Sequence, residues 1–164
     1  MKKYKPNPTE PTTTFQDVAV SYEPEGIFSP QYLGSGTPVL KGSVLSKIEL
    51  IHSGISKSQL EVLLEQTGLN LTQVASLMHL NERTLRNYTS QDRLSPEATE
   101  RALELAELFQ MGIEIFGSSS AFLQYLQSPI QALGNRKPWD FLDTSLGIQH
   151  LTDELGRIQH GVFA

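Results

Sequence analysis

Residues 71–90 read LTQVASLMHLNERTLRNYTS. The spacing predicts a short helix over 71–78, a turn at His79-Leu80-Asn81, and a second short helix over 82–88. A helix-turn-helix needs two such helices packed tightly across a short turn. Val74 and Ala75 supply an apolar residue followed by a small one where the helices cross. Leu80 is an apolar plug after the turn, and Leu85 and Tyr88 are two core residues three apart. Glycine is the usual turn residue. His79 replaces it, and histidine is among the residue types enriched at positive φ.

The outward face of the second helix carries Glu82, Arg83, Thr84, Arg86 and Asn87. Arginine and asparagine suit bidentate contacts to guanine and adenine edges in the major groove. Thr72 and Gln73 open the first helix and suit phosphate contacts at a helix N-terminus. These seven residues are the candidate DNA-binding set. The plain alternative is a helical hairpin with a solvated polar face.

Working outward, Leu45, Ile48, Glu49 and His52 lie at helical spacing on a first helix that stops at Gly54. Ser56 caps a second helix, which carries Leu60, Leu63 and Leu64 and ends at Gly68. Downstream, Leu94-Ser95-Pro96-Glu97 is a strong helix start: serine as cap, proline at the first position, a carboxylate at the positive end of the dipole. That helix runs to about Phe116. Ala102, Leu105, Ala106, Phe109, Ile113 and Phe116 form one stripe, so it is expected to be the buried spine joining two halves. Shorter pieces follow over 121–126, 130–133 and 138–142, then a longer helix over 147–160. Trp139 is expected to be a packing residue, and Phe141 and Leu142 core. Little period-2 alternation occurs past residue 40, so the fold class is all-α.

Residues 1–40 hold six of the nine prolines. They are expected to form a poorly ordered tail. The expected organisation is a tail over 1–40, a helix-turn-helix domain over 41–95, and a small helical domain over 96–164.

Net charge is −5 over 164 residues, which argues against a strongly basic nucleic-acid binder. Its distribution is informative. Residues 41–95 carry six positive and five negative charges, whereas 96–164 carry four positive and nine negative. A DNA contact belongs in the middle segment, because phosphate neutralisation dominates affinity. The cations near the second helix are Arg83, Arg86 and Arg93. The acidic C-terminal part should face a protein or solvent.

The chain has no cysteine, which excludes disulfides, thiolate metal sites and cysteine nucleophiles. No apolar h-region or membrane-length run is found, and a cytoplasmic location is expected. His52, His79, His150 and His160 form no metal-binding spacing, and no phosphate loop or nucleophile elbow occurs. No catalytic residue, metal ligand or cofactor is expected.

Over 147–160, Ile148, Leu151, Leu155 and Ile158 mark an inner face. Asp153 and Arg157, four apart, are placed to pair on another. Beyond Gly161, Val162 and Phe163 dock either on the chain's own core or on a partner.

Three stretches together resemble the Xre/MbcA/ParS antitoxins of RES–Xre type II toxin–antitoxin pairs. The first is Ala75 to Tyr88, with Asn81-Glu82-Arg83-Thr84-Leu85. The second runs from Leu94-Ser95-Pro96-Glu97 to Glu114-Ile115-Phe116-Gly117. The third comprises Pro129, Ala132-Leu133-Gly134, Lys137-Pro138-Trp139-Asp140-Phe141-Leu142, Gly147, and Glu154-Leu155-Gly156-Arg157-Ile158-Gln159-His160-Gly161. The resemblance covers roughly residues 40–164. Two departures stand out: His79 in the turn, and Asn135-Arg136 where a small residue is usual.

The resemblance implies a non-enzymatic protein with a C-terminal toxin-binding domain and an Xre-like helix-turn-helix. The implied partner is a RES-domain toxin that consumes NAD, its cleft covered by the antitoxin's last helix and tail. That assigns toxin binding to Asp153, Glu154, Arg157, Ile158, His160, Gly161, Val162 and Phe163. It also implies operator DNA as a ligand, repression of the chain's own operon, and a homodimer. The alternative is a stand-alone Xre-type repressor whose C-terminal part only dimerises.

Overall fold

The structure is a computed structural model that describes residues 44–161. The proposed tail over 1–40, together with Val162 and Phe163, lies outside the described residues. Seven α-helices are assigned there: α1 (Val44–Ser53), α2 (Lys57–Thr67), α3 (Leu71–Leu77), α4 (Glu82–Asn87), α5 (Pro96–Phe116), α6 (Ser119–Gln127) and α7 (Ser145–Gln159). Two 3-10 turns, Gln131–Leu133 and Pro138–Phe141, bridge α6 to α7. The described residues form isolated bridge pairs but no strand. The all-α expectation holds.

Local chemistry places most helix ends. Ser56 caps α2 in a reciprocal box with Gln59, and Asn70 caps α3 in the same way with Gln73. Each box satisfies two backbone donors that a helix start leaves orphaned. Ser95 accepts the Ala98 amide at the start of α5, with Pro96 just inside. Gly68 and Gly117 close α2 and α5 in the left-handed region.

Helix α5 is the spine. Ala102, Leu105, Leu108 and Phe109 are essentially inaccessible, and α1, α2, α6 and α7 all pack on it. Lys47 on α1 bonds Glu107 on α5 at 2.5 Å. Phe122 of α6 meets Phe109 edge-on, with ring centroids 5.1 Å apart. It also stacks on Phe116 at 5.8 Å. Room for that ring comes from Gly112. A β-carbon there would lie 2.5 Å from three Phe122 ring atoms.

Two sequence expectations shift. On α1 the core residue is Leu50, while Leu45 and Ile48 are exposed. Lys47, Leu50 and Ile51 form the face turned to α5, which puts Leu45 and Ile48 on the other side of a 3.6-residue turn. On α7 the helix starts at Ser145 with Thr144 as cap, two residues before Gly147. Gly147 instead marks a close approach: a β-carbon would sit 2.0 Å from the Phe141 carbonyl oxygen. The glycine lets the first turn of α7 press against the preceding 3-10 turn.

Candidate nucleic-acid and partner interfaces

Helix α3 ends at a turn whose backbone bonds follow the Schellman pattern. His79 N–H donates to Ser76 O at 3.1 Å, and Leu80 N–H donates to Ala75 O at 2.8 Å. That motif needs a left-handed residue, usually glycine, just past the cap. His79 fills it with φ of 55°. Leu80 packs against the core behind it. Asn81 then accepts the Arg83 amide at 2.8 Å and opens α4. Val74, Ala75 and Leu85 are buried where the two helices meet.

Arg83, Thr84, Arg86 and Asn87 lie exposed along α4, with Glu82 half-buried beside them. The set is not uniformly free. Arg86 is paired to Glu82 at 2.5 Å. A hydrogen bond from Thr72 and then the Arg86 guanidinium hold the Glu82 carboxyl below its ordinary range. Gln73 Oε1 accepts the Asn70 amide. Thr72, Gln73, Glu82 and Arg86 are therefore engaged with the protein itself, while Arg83, Thr84 and Asn87 point outward. Arg93, counted among the nearby cations, donates to the Gly54 carbonyl at 2.6 Å.

Lys57 was missed by the sequence reading. Its ammonium donates to Tyr88 O at 2.8 Å and Arg86 O at 3.4 Å. A cation on the last carbonyls of a helix is favourable to its dipole. Lys57 thus fixes the C-terminal end of α4 from the first turn of α2. Nothing in its sequence neighbourhood signals this, because the contact spans about thirty residues.

The second surface is the outer side of α7. Ile148, Leu151 and Leu155 are buried against α5. Leu146, His150, Asp153, Arg157 and His160 are exposed at spacings that form one stripe of a 3.6-residue helix. The structure thus brings Asp153, Arg157 and His160 together, with Gly161 exposed just beyond them. Ile158 is set apart, half-buried on the chain's own core. Arg157 pairs with Glu154 rather than Asp153. Leu146 was missed. It is 77% exposed at the start of the stripe, and it lies outside the apolar phase used to place α7.

Beside these surfaces, a shallow cleft of about 370 Å³ separates α3 from the C-terminal part. Thr72, Gln73, Ser76 and Leu77 form one wall, Gln127 and Trp139 the other. Trp139 is half-buried against the core, consistent with a packing role. Asn135 has φ of 61°, which accounts for the usual small residue in that loop. The neighbouring Arg136 guanidinium stacks 4.6 Å from the Phe141 ring centre.

A family model described as "Antitoxin Xre-like helix-turn-helix domain" matches residues 46–107. Another, "Antitoxin Xre/MbcA/ParS C-terminal toxin-binding domain", matches 111–161. The chain belongs to the Xre/MbcA/ParS-type antitoxins. The curated protein "Antitoxin Xre" of Yersinia enterocolitica serotype O:8 / biotype 1B (strain NCTC 13174 / 8081) is similar. The two are 27% identical over 131 residues, covering 79% of this chain and 87% of that protein. "Prs ADP-ribosylating antitoxin" of Sphingobium sp. (strain YBL2) is 28% identical over 147 residues, covering 80% and 92%. In this antitoxin the two family matches meet between residues 107 and 111, inside the continuous helix α5. No described helix is long and apolar enough to cross a membrane.

Proposed function

We propose that this antitoxin binds a RES-domain, NAD-consuming toxin, occludes its active site with α7 and the segment after it, and represses its own operon through α4. The observation that carries the first part is the exposed stripe of α7 lying inside the toxin-binding match. Its Asp153, Arg157 and His160, with Glu154, Ile158 and Gly161 alongside, are offered as the docking residues, and Val162 and Phe163 as their extension. The name of the Sphingobium relative, "Prs ADP-ribosylating antitoxin", supports NAD-linked chemistry in the partner. Arg83, Thr84 and Asn87 would read bases, with Arg86, Thr72, Gln73 and Glu82 supporting them. The protein acts in the cytoplasm, as a homodimer, and carries no catalytic residue of its own.

The test is a pull-down of the tagged chain from its host, with NAD loss by the recovered partner assayed before and after the antitoxin is stripped away. A partner that consumes NAD only when freed supports occlusion. The chain recovered alone, yet shifting DNA from upstream of its own gene, would favour a stand-alone repressor. Truncation after Leu155 then asks whether the end of α7 is the inhibitory element. Continued neutralisation by the shortened chain would refute that assignment.

A further inference from the structure

Arg101 lies on α5 with 7% of its surface exposed. A guanidinium so deep is tolerated only when paired and fully hydrogen-bonded. Its planar fork makes four hydrogen bonds by reaching in two directions. Nε donates at 3.1 Å to the carbonyl of Leu77, the last residue of α3. Nη2 donates at 2.5 Å to the carbonyl of Leu142, in the loop before α7. Nη1 donates to Glu104 Oε2 at 3.0 Å and to the hydroxyl of Ser145, the first residue of α7, at 3.2 Å. The Ser145 hydroxyl donates in turn to Glu104 at 2.8 Å. One side chain therefore ties the end of α3 to the start of α7.

A second bond joins the same two places. His79 Nε2 lies 2.8 Å from the carbonyl oxygen of Asp143. Facing a carbonyl, that ring nitrogen is the donor. Glycine would hold the turn's φ of 55° without the strain a β-carbon brings there. Strain kept where glycine would relieve it points to a side chain in use. The ring's use is this contact across the fold.

We propose that Arg101 and His79 are positioning residues. They clasp the helix-turn-helix turn to the start of α7, so that a partner held on α7 and DNA held on α4 alter each other's affinity. The two ligands rest on the function proposed above, whereas the clasp is a property of the chain alone. Helix α4 begins three residues after His79. A shift of the α7 start moves the Leu142 and Asp143 carbonyls, and with them the turn that aims α4. Couplings carried this way are typically about 5–150-fold.

Two variants of the full chain test this. His79→Gly keeps the turn's backbone and removes the ring. Arg101→Lys keeps charge and stem, but a single ammonium cannot serve carbonyls on two sides as a planar fork does. Amide exchange at Gly147 and Ile148, whose N–H groups bond Thr144, should quicken several-fold in both variants, with Leu105 and Leu108 on α5 unchanged. A residue serving only its own turn would leave α7 exchange untouched. Affinity for DNA from upstream of the gene should differ at least about fivefold with and without the partner recovered by pull-down. That ratio should fall towards unity in both variants. Unchanged α7 exchange in both overturns the clasp, and faster exchange with an unchanged ratio overturns the coupling assigned to it. Faster exchange in a chain whose natural form binds neither partner nor DNA upholds the clasp and overturns the proposed function instead.

Discussion

Replacing Gly112 by alanine should destabilise the antitoxin in its natural background and stabilise it once Phe122 is gone. In a helix interior, alanine gains roughly 0.5–1 kcal/mol over glycine by restricting the unfolded chain. At position 112 the added β-carbon would lie 2.5 Å from three atoms of the Phe122 ring, and overpacking of this kind costs about 1–3 kcal/mol. The ring has little freedom to yield, because it is fully buried between Phe109 and Phe116. Clash outweighs propensity, and a net loss of about 0.5–2 kcal/mol is expected. Phe122→Ala alone should cost about 3–5 kcal/mol. In that background the three clashing atoms are absent, so Gly112→Ala should recover roughly 0.5–1 kcal/mol. Urea unfolding of all four proteins, followed by far-UV circular dichroism in a stabilising osmolyte, measures the cycle. Equal destabilisation by alanine in both backgrounds would show that the Phe122 ring is not what position 112 answers to.

Tyr125→Phe should stabilise by up to about 1 kcal/mol, because the phenol oxygen is buried without a hydrogen-bond partner. Burial, and then the Glu154 charge, push the Tyr125 phenol up to about 12. Its raised folded value gives a contribution present below pH 10 and lost as pH climbs to about 12, where the unfolded phenol ionises first. The phenylalanine variant should lose that part of the alkaline decline in a pH series of melts. Lys57→Met should fray the end of α4 and weaken DNA binding about two- to fivefold, with partner capture unchanged in a parallel pull-down. Asp153→Lys and Leu146→Asn should each leave stability within about 0.5 kcal/mol, both sites being exposed. Both should slow partner capture in a surface-binding assay, and unchanged capture in the two would move the docking face off this stripe.

Much of the fold was legible because its signals are local. Capping serines, a proline at a helix start and glycines at helix ends act over three or four residues. They placed α2, α5 and the turn at His79 closely. The phase of α1 was not legible, because Leu45 and Ile48 are apolar yet exposed, and only contact with α5 selects Leu50. The start of α7 was misplaced because Gly147 reads as a boundary in sequence but is a packing device in space. At the candidate DNA face the residue types were readable, but their engagement was not. That Arg86 leans on Glu82 could be guessed from a spacing of four. That Arg93 turns to Gly54, and that Lys57 holds Tyr88, could not, because those contacts cross some thirty to forty residues. Arg101 carries no sequence mark at all, since a lone arginine in an amphipathic helix is ordinarily a solvated one.

The unbroken run of α5 through the meeting point of the two family matches bears on how such proteins can recombine. A chimera that joins one antitoxin's DNA-binding half to another's partner-binding half must splice somewhere within a rigid rod. Its two ends pack on different neighbours. A junction before Pro96 would carry Arg101 along with the new partner-binding half and confront it with a foreign α3. A junction near residue 110 would keep Arg101 with its own α3 but present it with a foreign loop and α7. Either splice inherits a buried cation whose acceptors were shaped elsewhere, so new pairings of promoter and partner are expected to arise mainly by change within each face of the intact chain.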